Sequence, residues 1–527
     1  MGIAIGLDFG TTNSVVTYVD DKGALKTFRQ NGSPLIPSVI YFKSKDDYII
    51  GLAALALSEK NIGGKISSFK TKLNDLNHKF DEITFEDGTK YKLNAKVAVK
   101  LFLNRLIGQV QEYLIKKFGA AAGIINRAVI TVPTKFTDAA NRAIKNAAAS
   151  AMNLKPEQIK LVFEPTAAAV AAQNENIFRD TKFLIYDFGG GTFDVSLIQK
   201  KNGAFNQINT DGDPNCGGDL LTEILAQYLL DLANKEFGTS QPWDEMDFDE
   251  DFHGVEEIQY RKNRNAILRE AARIKTGLSD ENSITANFQF YTAKDKNGEF
   301  VKEILREDLE KLIGEKINHT AEITKRVINS DAAKNIGGVK KIILAGGSSQ
   351  IPMIRDALKK KIGAVEIVGS ENISTLISRG AAILAENISS VENVTSNITP
   401  VQLGVASTDG LQYNLFQTII PADTKLPCEA SCDFKLLEDN QRHLEIAYYE
   451  RDVKNYPLAR RIDDDGVRQV DILKIDLPAG LKKSAAVVKI NFSVHEDLSL
   501  DFSAKVLQNG NSIGEGALQI SKASDLF

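Results

Sequence analysis

One local pattern occurs twice in this chain and constrains its fold more than any other feature. Leu7-Asp8-Phe9-Gly10 ends an apolar β run and leads through Thr11, Thr12 and Asn13 into a second run, Ser14 to Val19. Tyr186-Asp187-Phe188-Gly189 repeats the arrangement, leading through Gly190, Gly191 and Thr192 into the run Asp194 to Ile198. Each copy is a strand with an aspartate at its end, a glycine turn and a returning strand. A duplicated α/β lobe satisfies this pattern, with two similar hairpins facing each other across a cleft. A third glycine turn closes the run Lys340 to Gly347.

The residue types in these turns suit an anion. Gly10 lets the backbone turn tightly and approach a ligand. Hydroxyls and successive backbone N–H groups form an anion nest. A plain polar hairpin uses the same residues, so one copy decides nothing. Three consecutive glycines are costly in such a hairpin, because each loses much conformational freedom on folding. Two hairpins and a third Gly-Gly turn in one chain point to polyphosphate.

Around these hairpins the chain alternates strand and helix patterns. Ile3 to Phe9, Ala24 to Arg29, Ser38 to Phe42, Arg127 to Val132 and Ile159 to Phe163 read as strands. Val97 to Phe118, Thr137 to Met152 and the segment opened by Pro165 read as helices, as do Gly218 to Glu236, Val255 to Leu278, Arg306 to Asn329, Ile351 to Lys361 and Ser374 to Ile388. Ser389 to Thr399 is polar and reads as a linker. Beyond Ile398 short alternating segments dominate: Gln412 to Phe416, His443 to Tyr449, Val470 to Leu477, Ala486 to Phe492 and Leu498 to Val506. This predicts an all-β module, a sandwich. The expected division is 1–388, a linker 389–397, and 398–527. Trp243 to Glu257 is expected to be a solvated loop or helix start, and Ser521 to Phe527 too short for an element.

Composition excludes some classes. The 527 residues are 43% hydrophobic and 25% charged, ordinary for a globular chain rather than a disordered one. No apolar run approaches the roughly 18 residues of a membrane span. The start lacks a basic n-region, so no signal peptide is expected. A net charge of −5 leaves no footprint for nucleic acid or anionic membrane. Cys216, Cys428 and Cys432 form no Cys-x-x-Cys and have no nearby histidine, which predicts a reducing cytoplasmic compartment. Oxidation of Cys428 to Cys432 is conceivable, and two small core residues are the plainer expectation.

LDFGTTNS, YDFGGGTFDVS, FEPTAAAVAA and LAGGSSQIP, in this order and spacing, resemble the seventy-kilodalton heat-shock chaperone family of the actin-like ATPase superfamily. The resemblance covers nearly the whole chain, with ITPVQLGV and EDNQ matching the family's β domain. It implies a two-lobed actin-like ATPase with duplicated ribonuclease-H-like lobes, followed by an all-β sandwich that binds substrate. By resemblance, Asp8 and Asp187 hold magnesium through its water shell, as suits a cation that dehydrates reluctantly. Gly10, Thr11, Thr12 and Asn13 cradle phosphate from one lobe, and Gly189, Gly190, Gly191 and Thr192 from the other. Lys70 sits by the terminal phosphate, with Lys72 the alternative. Glu164 faces the attacking water, and its place at a helix start is favourable for a carboxylate in any case. Lys275, Ser279, Gly346, Gly347 and Ser348 match the adenosine side. In the β domain Val405, Ser407, Leu437, Leu444 and Ile446 match peptide-lining positions, although a sandwich core accounts equally well for Ile446.

The chain also departs from the family. Ala272 replaces a glutamate one turn before Lys275, and Thr276 and Gln350 stand where arginines sandwich the base in many members. The relay between domains keeps Pro133, but its arginine position is Asn141, with Arg142 one residue on. A leucine-rich linker is replaced by VENVTSN, Val391 to Asn397, and Thr408 and Leu437 alter the arch over the groove. The helical lid is expected to be absent. Three functions fit: an ATP-dependent chaperone using ATP/ADP and Mg²⁺, a weakly hydrolysing co-chaperone or regulatory binding protein, and a metabolite kinase, which has no evident use for the β module. The implied partners are extended peptides, a J-domain co-chaperone and an exchange factor. A monomer is expected.

Overall fold

The computed structural model describes residues 2–518, apart from 59–63, 75–77, 81, 86–88, 135, 175–180, 203, 244–254, 294–295, 364, 370–372, 389–394, 397, 400, 409–410, 454–455 and 496–499. Two sheets share one topology. In the first, Ile3–Asp8 runs parallel to Ile125–Val132, which runs parallel to Ile159–Phe163. On its other side Ile3–Asp8 pairs antiparallel with Asn13–Val19, and that strand with Leu25–Thr27. In the second, Lys182–Phe188 runs parallel to Lys341–Ala345 and that to Glu366–Val368. Its other side pairs antiparallel with Phe193–Lys201, and that strand with Ala204–Asp213. The duplication read from the two aspartate hairpins is therefore a duplication of strand order.

Both central strands are buried along nearly their whole length, so they read as continuous apolar runs rather than alternating ones. Helices cover the sheets. Ala95–Phe118 starts where the Asn94 side chain accepts from Val97 N–H, and ends at Gly119, whose positive φ of 87° halts the helix. Its buried stripe is Val99, Leu103, Leu106, Val110 and Leu114, the spacing of one helix face. Asp138–Met152 begins at Thr137, whose hydroxyl accepts from Ala140 N–H. Between the two sheets lie Glu164–Asn174 and Leu376–Glu386, in a core of small residues: Ala4, Ala167, Ala168, Ala171 and Ala381. A side chain at Gly380 would collide with the Ala167 carbonyl, so the two helices meet nearly backbone to backbone.

The C-terminal module is a pair of four-stranded antiparallel sheets. One orders Leu415–Ile420, Gln402–Ser407, His443–Arg451 and Val467–Asp476; the other orders Cys428–Lys435, Ala486–Val494, Leu500–Gln508 and Asn511–Leu518. Tyr448, Phe492 and Phe502 pack between them, with ring centroids 4.9–6.0 Å apart. This is the expected sandwich. Two features tie it to the first lobe and the second. The strand Thr395–Ser396 runs parallel to Phe205 and Asn206, forming a sixth strand of the second lobe's sheet. Arg142 Nη2 lies 3.9 Å from Asp471 Oδ2 on the Val467–Asp476 strand.

Several expectations change. Trp243, read as part of a solvated stretch, is buried: it stacks 4.9 Å from the Arg264 guanidinium, and its carbonyl accepts from Tyr260. Residues 244–254 lie outside the described residues, as do 521–527 and most of the linker. Ser283–Ala293 and Lys296–Leu305 form a long hairpin that the sequence reading left unassigned. Cys428 and Cys432 lie four residues apart on one strand, about 13 Å at the strand rise. A disulfide between them is excluded by that distance.

Candidate functional site

The hairpin turns of the two lobes meet. Thr12 Oγ1 donates to Asp219 Oδ1 at 2.8 Å across the cleft. A Cβ at Gly190 would collide with the Thr12 hydroxyl, so the glycine is required by that approach. Thr11 and Thr71 stand against Gly191. The second turn is fastened to the start of the Gly218–Phe237 helix: Gly218 N–H donates to Gly189 O at 2.9 Å and Asp219 N–H to Gly190 O at 2.7 Å.

Beneath the turns lies a crowd of carboxylates around one cation. Lys70 is buried, and its Nζ is 2.7 Å from Glu164 Oε1, at the first residue of the Glu164–Asn174 helix. The ammonium also lies 5.7 Å from the Phe9 ring centroid and 5.5 Å from that of Phe136, which pins it by cation–π attraction. Lys72, the alternative that the resemblance left, is exposed in the turn Thr71–Asn74. Asp8 accepts from Thr131 at 3.2 Å. Burial, then the Glu164 charge, push Asp8 up to about 7, with Lys70 and Thr131 opposing. Asp187 is likewise raised by burial, then by Glu164, Asp194 and Asp8. Asp194 takes hydrogen bonds from Thr134 at 2.8 Å and Thr192 at 3.2 Å.

Such a set, with more buried acids than bases, has a place for positive charge. Among the described residues, no group of three or more His, Cys, Asp or Glu is placed to ligate a metal directly. A cation that keeps its water shell needs fewer direct ligands, and Asp8 and Asp187 fit that mode. Buried charges of this kind are little screened and are suited to polarising a phosphoryl group.

The other predicted cofactor residues divide. Ser348 Oγ donates to Gly189 O at 3.0 Å, and Gly346 takes a φ of 78° next to Phe188. Lys275 donates to Gly218 O, and burial pushes its pKa down to about 8 against the pull of Asp219. These groups adjoin the second hairpin. Gly347 is open on its Cα side, and Ser279 sits in the turn after the Val255–Gly277 helix. Thr276 bonds back to Ala272 O, and Gln350 is exposed. Asn13 pairs with Pro37. The peptide-lining candidates lie in the separate sandwich. Val405 and Ile446 are buried, Leu444 and Ser407 half-buried, and Leu437 is 67% exposed.

The sequence reading missed Asp194, Asp219, Thr131, Thr134 and Thr71 as members of the site. Asp194 carried a signal, being the second aspartate of the glycine-rich motif. The threonines carried none, because strand hydroxyls are common.

A family model described as Hsp70 protein matches residues 4–491. The chaperone protein DnaK of Thermotoga neapolitana is 28% identical over 523 residues, 96% of this chain and 78% of the relative. The DnaK of Ureaplasma parvum is 31% identical over 459 residues, covering 84% and 68%. That of Thalassiosira pseudonana is 28% identical over 559 residues, covering 99% and 84%.

Proposed function

Because this chain belongs to the Hsp70 family and is an ATP-dependent molecular chaperone that hydrolyses ATP, we propose that the facing hairpins and the Lys70–Glu164 pair are its hydrolytic centre. The observation that carries this reading is the convergence of Asp8, Asp187, Lys70 and Glu164, from four separate segments, on one buried cluster. Asp8 and Asp187 would hold Mg²⁺ through water. Bound there, the ion would neutralise phosphate charge. Lys70 meets charge on the transferring phosphoryl group. Glu164, with Thr192 and Asp194 on the opposite lobe, orients the attacking water and accepts its proton. The turns Gly10 to Asn13 and Gly189 to Thr192 position the phosphates. Residues 1–388 form the ATPase and 398–527 the peptide-binding part. The three unpaired cysteines support a cytoplasmic setting; J-domain and exchange partners belong to the same proposal. Among the described residues no helix is long and apolar enough to cross a membrane.

The test is single-turnover ATP hydrolysis with and without an unfolded peptide, alongside peptide anisotropy. Hydrolysis that peptide accelerates supports the reading. Nucleotide binding with hydrolysis at the uncatalysed rate would turn it to a regulatory protein that uses nucleotide as a structural ligand.

Lys275→Met keeps the apolar stem and removes the buried charge. It is expected to weaken ADP binding about tenfold, the scale of one charge-assisted hydrogen bond. A lysine whose folded pKa is depressed binds its proton less readily than in the unfolded chain. Its burden on stability is therefore full below about pH 8 and lifts as pH rises toward 10.5. Lys275→Met should raise the melting temperature at pH 7 and gain less at pH 10. Unchanged ADP affinity by calorimetry counts against the assignment.

Coupling between the parts is expected to be modest. The described linker strand pairs through only two residues, Thr395 and Ser396. The Arg142–Asp471 contact is long and partly exposed, 21% and 44%, a kind of pair worth about 0–1 kcal/mol. ATP should change peptide Kd by less than about tenfold. Arg142→Glu should reduce that change, and Arg142→Glu with Asp471→Arg should restore it. A hundredfold ATP effect in the unaltered protein would refute weak coupling.

A further inference from the structure

The sandwich carries an open cavity of about 570 Å³ with a mixed apolar and cationic lining. Ser407, Thr408, Phe416, Phe434, Arg451 and Arg460 are among its walls. Its walls come from the strand residues Ser407, Phe416, Phe434 and Arg451 and from Thr408, Pro457 and Arg460 outside the strands, and the segments are fastened together: Phe416 N–H donates to Arg460 O at 2.8 Å, and Ile462 N–H to Asn414 O at 2.8 Å. The segments that supply the walls also expose large apolar side chains. Leu411 and Leu458 are 92% and 86% exposed, and Tyr413 is 67% exposed. Isolated exposed leucines need no explanation, but several on two joined loops beside one cavity mark an interaction surface.

The cationic part is held in place by that wall. The Arg451 guanidinium lies 5.9 Å from the Phe416 ring centroid, and its Nη2 donates to Pro457 O at 3.3 Å. Its Nε is buried and meets no acceptor among the described residues. Burial, then the Arg460 charge, lower the Arg451 pKa, with Asp464 opposing. Asp464 is itself engaged by the backbone N–H groups of Arg460 and Arg461, at 2.6 and 2.9 Å. Two guanidinium groups sharing a cavity repel each other, and a buried N–H without an acceptor costs free energy. An anionic group entering the cavity relieves the repulsion.

We propose that this cavity is a carboxylate subsite, so that the peptides bound here are extended apolar segments carrying an aspartate or glutamate side chain. The inference rests on the peptide-binding reading above and names its substrate class. Phe416, Phe434 and the exposed leucines take the apolar part; Arg451 and Arg460 take the carboxylate, for which a guanidinium fork is well matched. The chain's own net charge of −5 works against acidic ligands at long range. A preference for them therefore has to arise locally.

The test uses the full chain and three labelled peptides of equal length. Each has a leucine–valine core; the flanks carry glutamine, glutamate or lysine. Anisotropy titrations at low salt are expected to show the glutamate peptide binding about five- to tenfold more tightly than the glutamine peptide, and the lysine peptide more weakly than either. Arg460→Gln changes an exposed side chain and should leave the melting temperature nearly unchanged, while bringing the glutamate-over-glutamine preference below about twofold. Equal affinity for all three peptides overturns the subsite and leaves peptide binding standing. A glutamate preference that survives in both Arg460→Gln and Arg451→Gln overturns it as well. Absence of binding by every peptide overturns the peptide-binding reading and the subsite with it.

Discussion

Replacing Lys70 by alanine is expected to lower ATP hydrolysis at least about a hundredfold while changing ATP affinity by less than about tenfold. Losing one preorganised group aimed at developing charge commonly costs about 10²–10³ in rate. Lys70 is preorganised in that sense: Glu164 holds its ammonium at 2.7 Å and two aromatic rings flank it. It lies inside the protein, 3% exposed, where its charge is weakly screened. On the proposed reading the ground-state phosphates would keep their contacts with the two hairpin turns, so binding would be largely preserved and the loss would appear in kcat. The substitution leaves Glu164 without its partner, and an unpaired buried charge destabilises. A second variant, Lys70→Ala with Glu164→Gln, removes that penalty and should melt nearer to the unaltered protein while remaining inactive. Lys72→Ala is the control, expected within about twofold of the unaltered rate because its side chain is exposed. Equal losses of affinity and rate at Lys70, or a larger effect at Lys72, would remove Lys70 from the transition state.

The parts of this structure that the sequence displayed are those with strong local periodicity. The two aspartate hairpins were legible because an apolar strand, an aspartate and glycines stand in consecutive positions, and their pairing registers follow directly: Asp187 opposite Asp194 and Asp8 opposite Val15. Helix starts were legible at Thr137 and Gly218 within a residue. The hairpin Ser283–Leu305 was passed over although Ala286, Phe288 and Phe290 point inward and alternate with the uncharged polar residues Thr285, Asn287 and Gln289, a period-two signal that was there to read. Cys428–Lys435 gave even less, since none of its residues is fully buried; its register against Ala486–Val494 holds it in place. Trp243 was misread because acidic neighbours suggested solvent, whereas Arg264 and the Val255–Gly277 helix enclose it.

Contacts between distant residues were beyond any local signal. Asn141, at the family's relay position, is buried, and its Oδ1 meets no donor among the described residues, while the adjacent Arg142 faces Asp471. One residue along a helix turns a side chain by about 100°, so the neighbour reaches a different partner. The arginine pair at the sandwich cavity is of the same kind: Arg451 lies on a strand and Arg460 in a loop, and long-range bonds such as Phe416 to Arg460 and Ile462 to Asn414 help bring them together.

Asp187→Asn is expected to abolish hydrolysis, by about a hundredfold or more, and to stabilise the nucleotide-free protein. Both effects have one cause. Asp187 is 5% exposed, and burial, then Glu164, Asp194 and Asp8, act to keep it from ionising, with Lys70 opposing. In the proposed role, binding an Mg²⁺–nucleotide would need that carboxylate charged; folding without ligand is hindered by the charge. Asparagine keeps the shape and removes the repulsion, and relief of functional strain of this sort commonly gives about 0.5–2 kcal/mol. The pH dependence has a definite sign. A carboxyl with a raised folded pKa binds its proton more tightly in the folded chain, so its contribution to stability is greatest at low pH and is lost as pH rises through the folded value. For Asp8 that window runs from 3.8 to about 7, and Asp187 is displaced in the same direction. The gain in melting temperature from Asp187→Asn should therefore be clear at pH 8 and shrink toward pH 5, as the raised carboxyl takes up its proton. Adding Mg²⁺ and ADP should raise the melting temperature of the unaltered protein more than that of the variant, narrowing or reversing the difference. Calorimetry across pH 5–8 with both proteins, with hydrolysis measured on the same preparations, decides it. A variant that melts lower at pH 8, or one that hydrolyses ATP normally, would show Asp187 to be a structural residue and remove the carboxylate crowd from the mechanism.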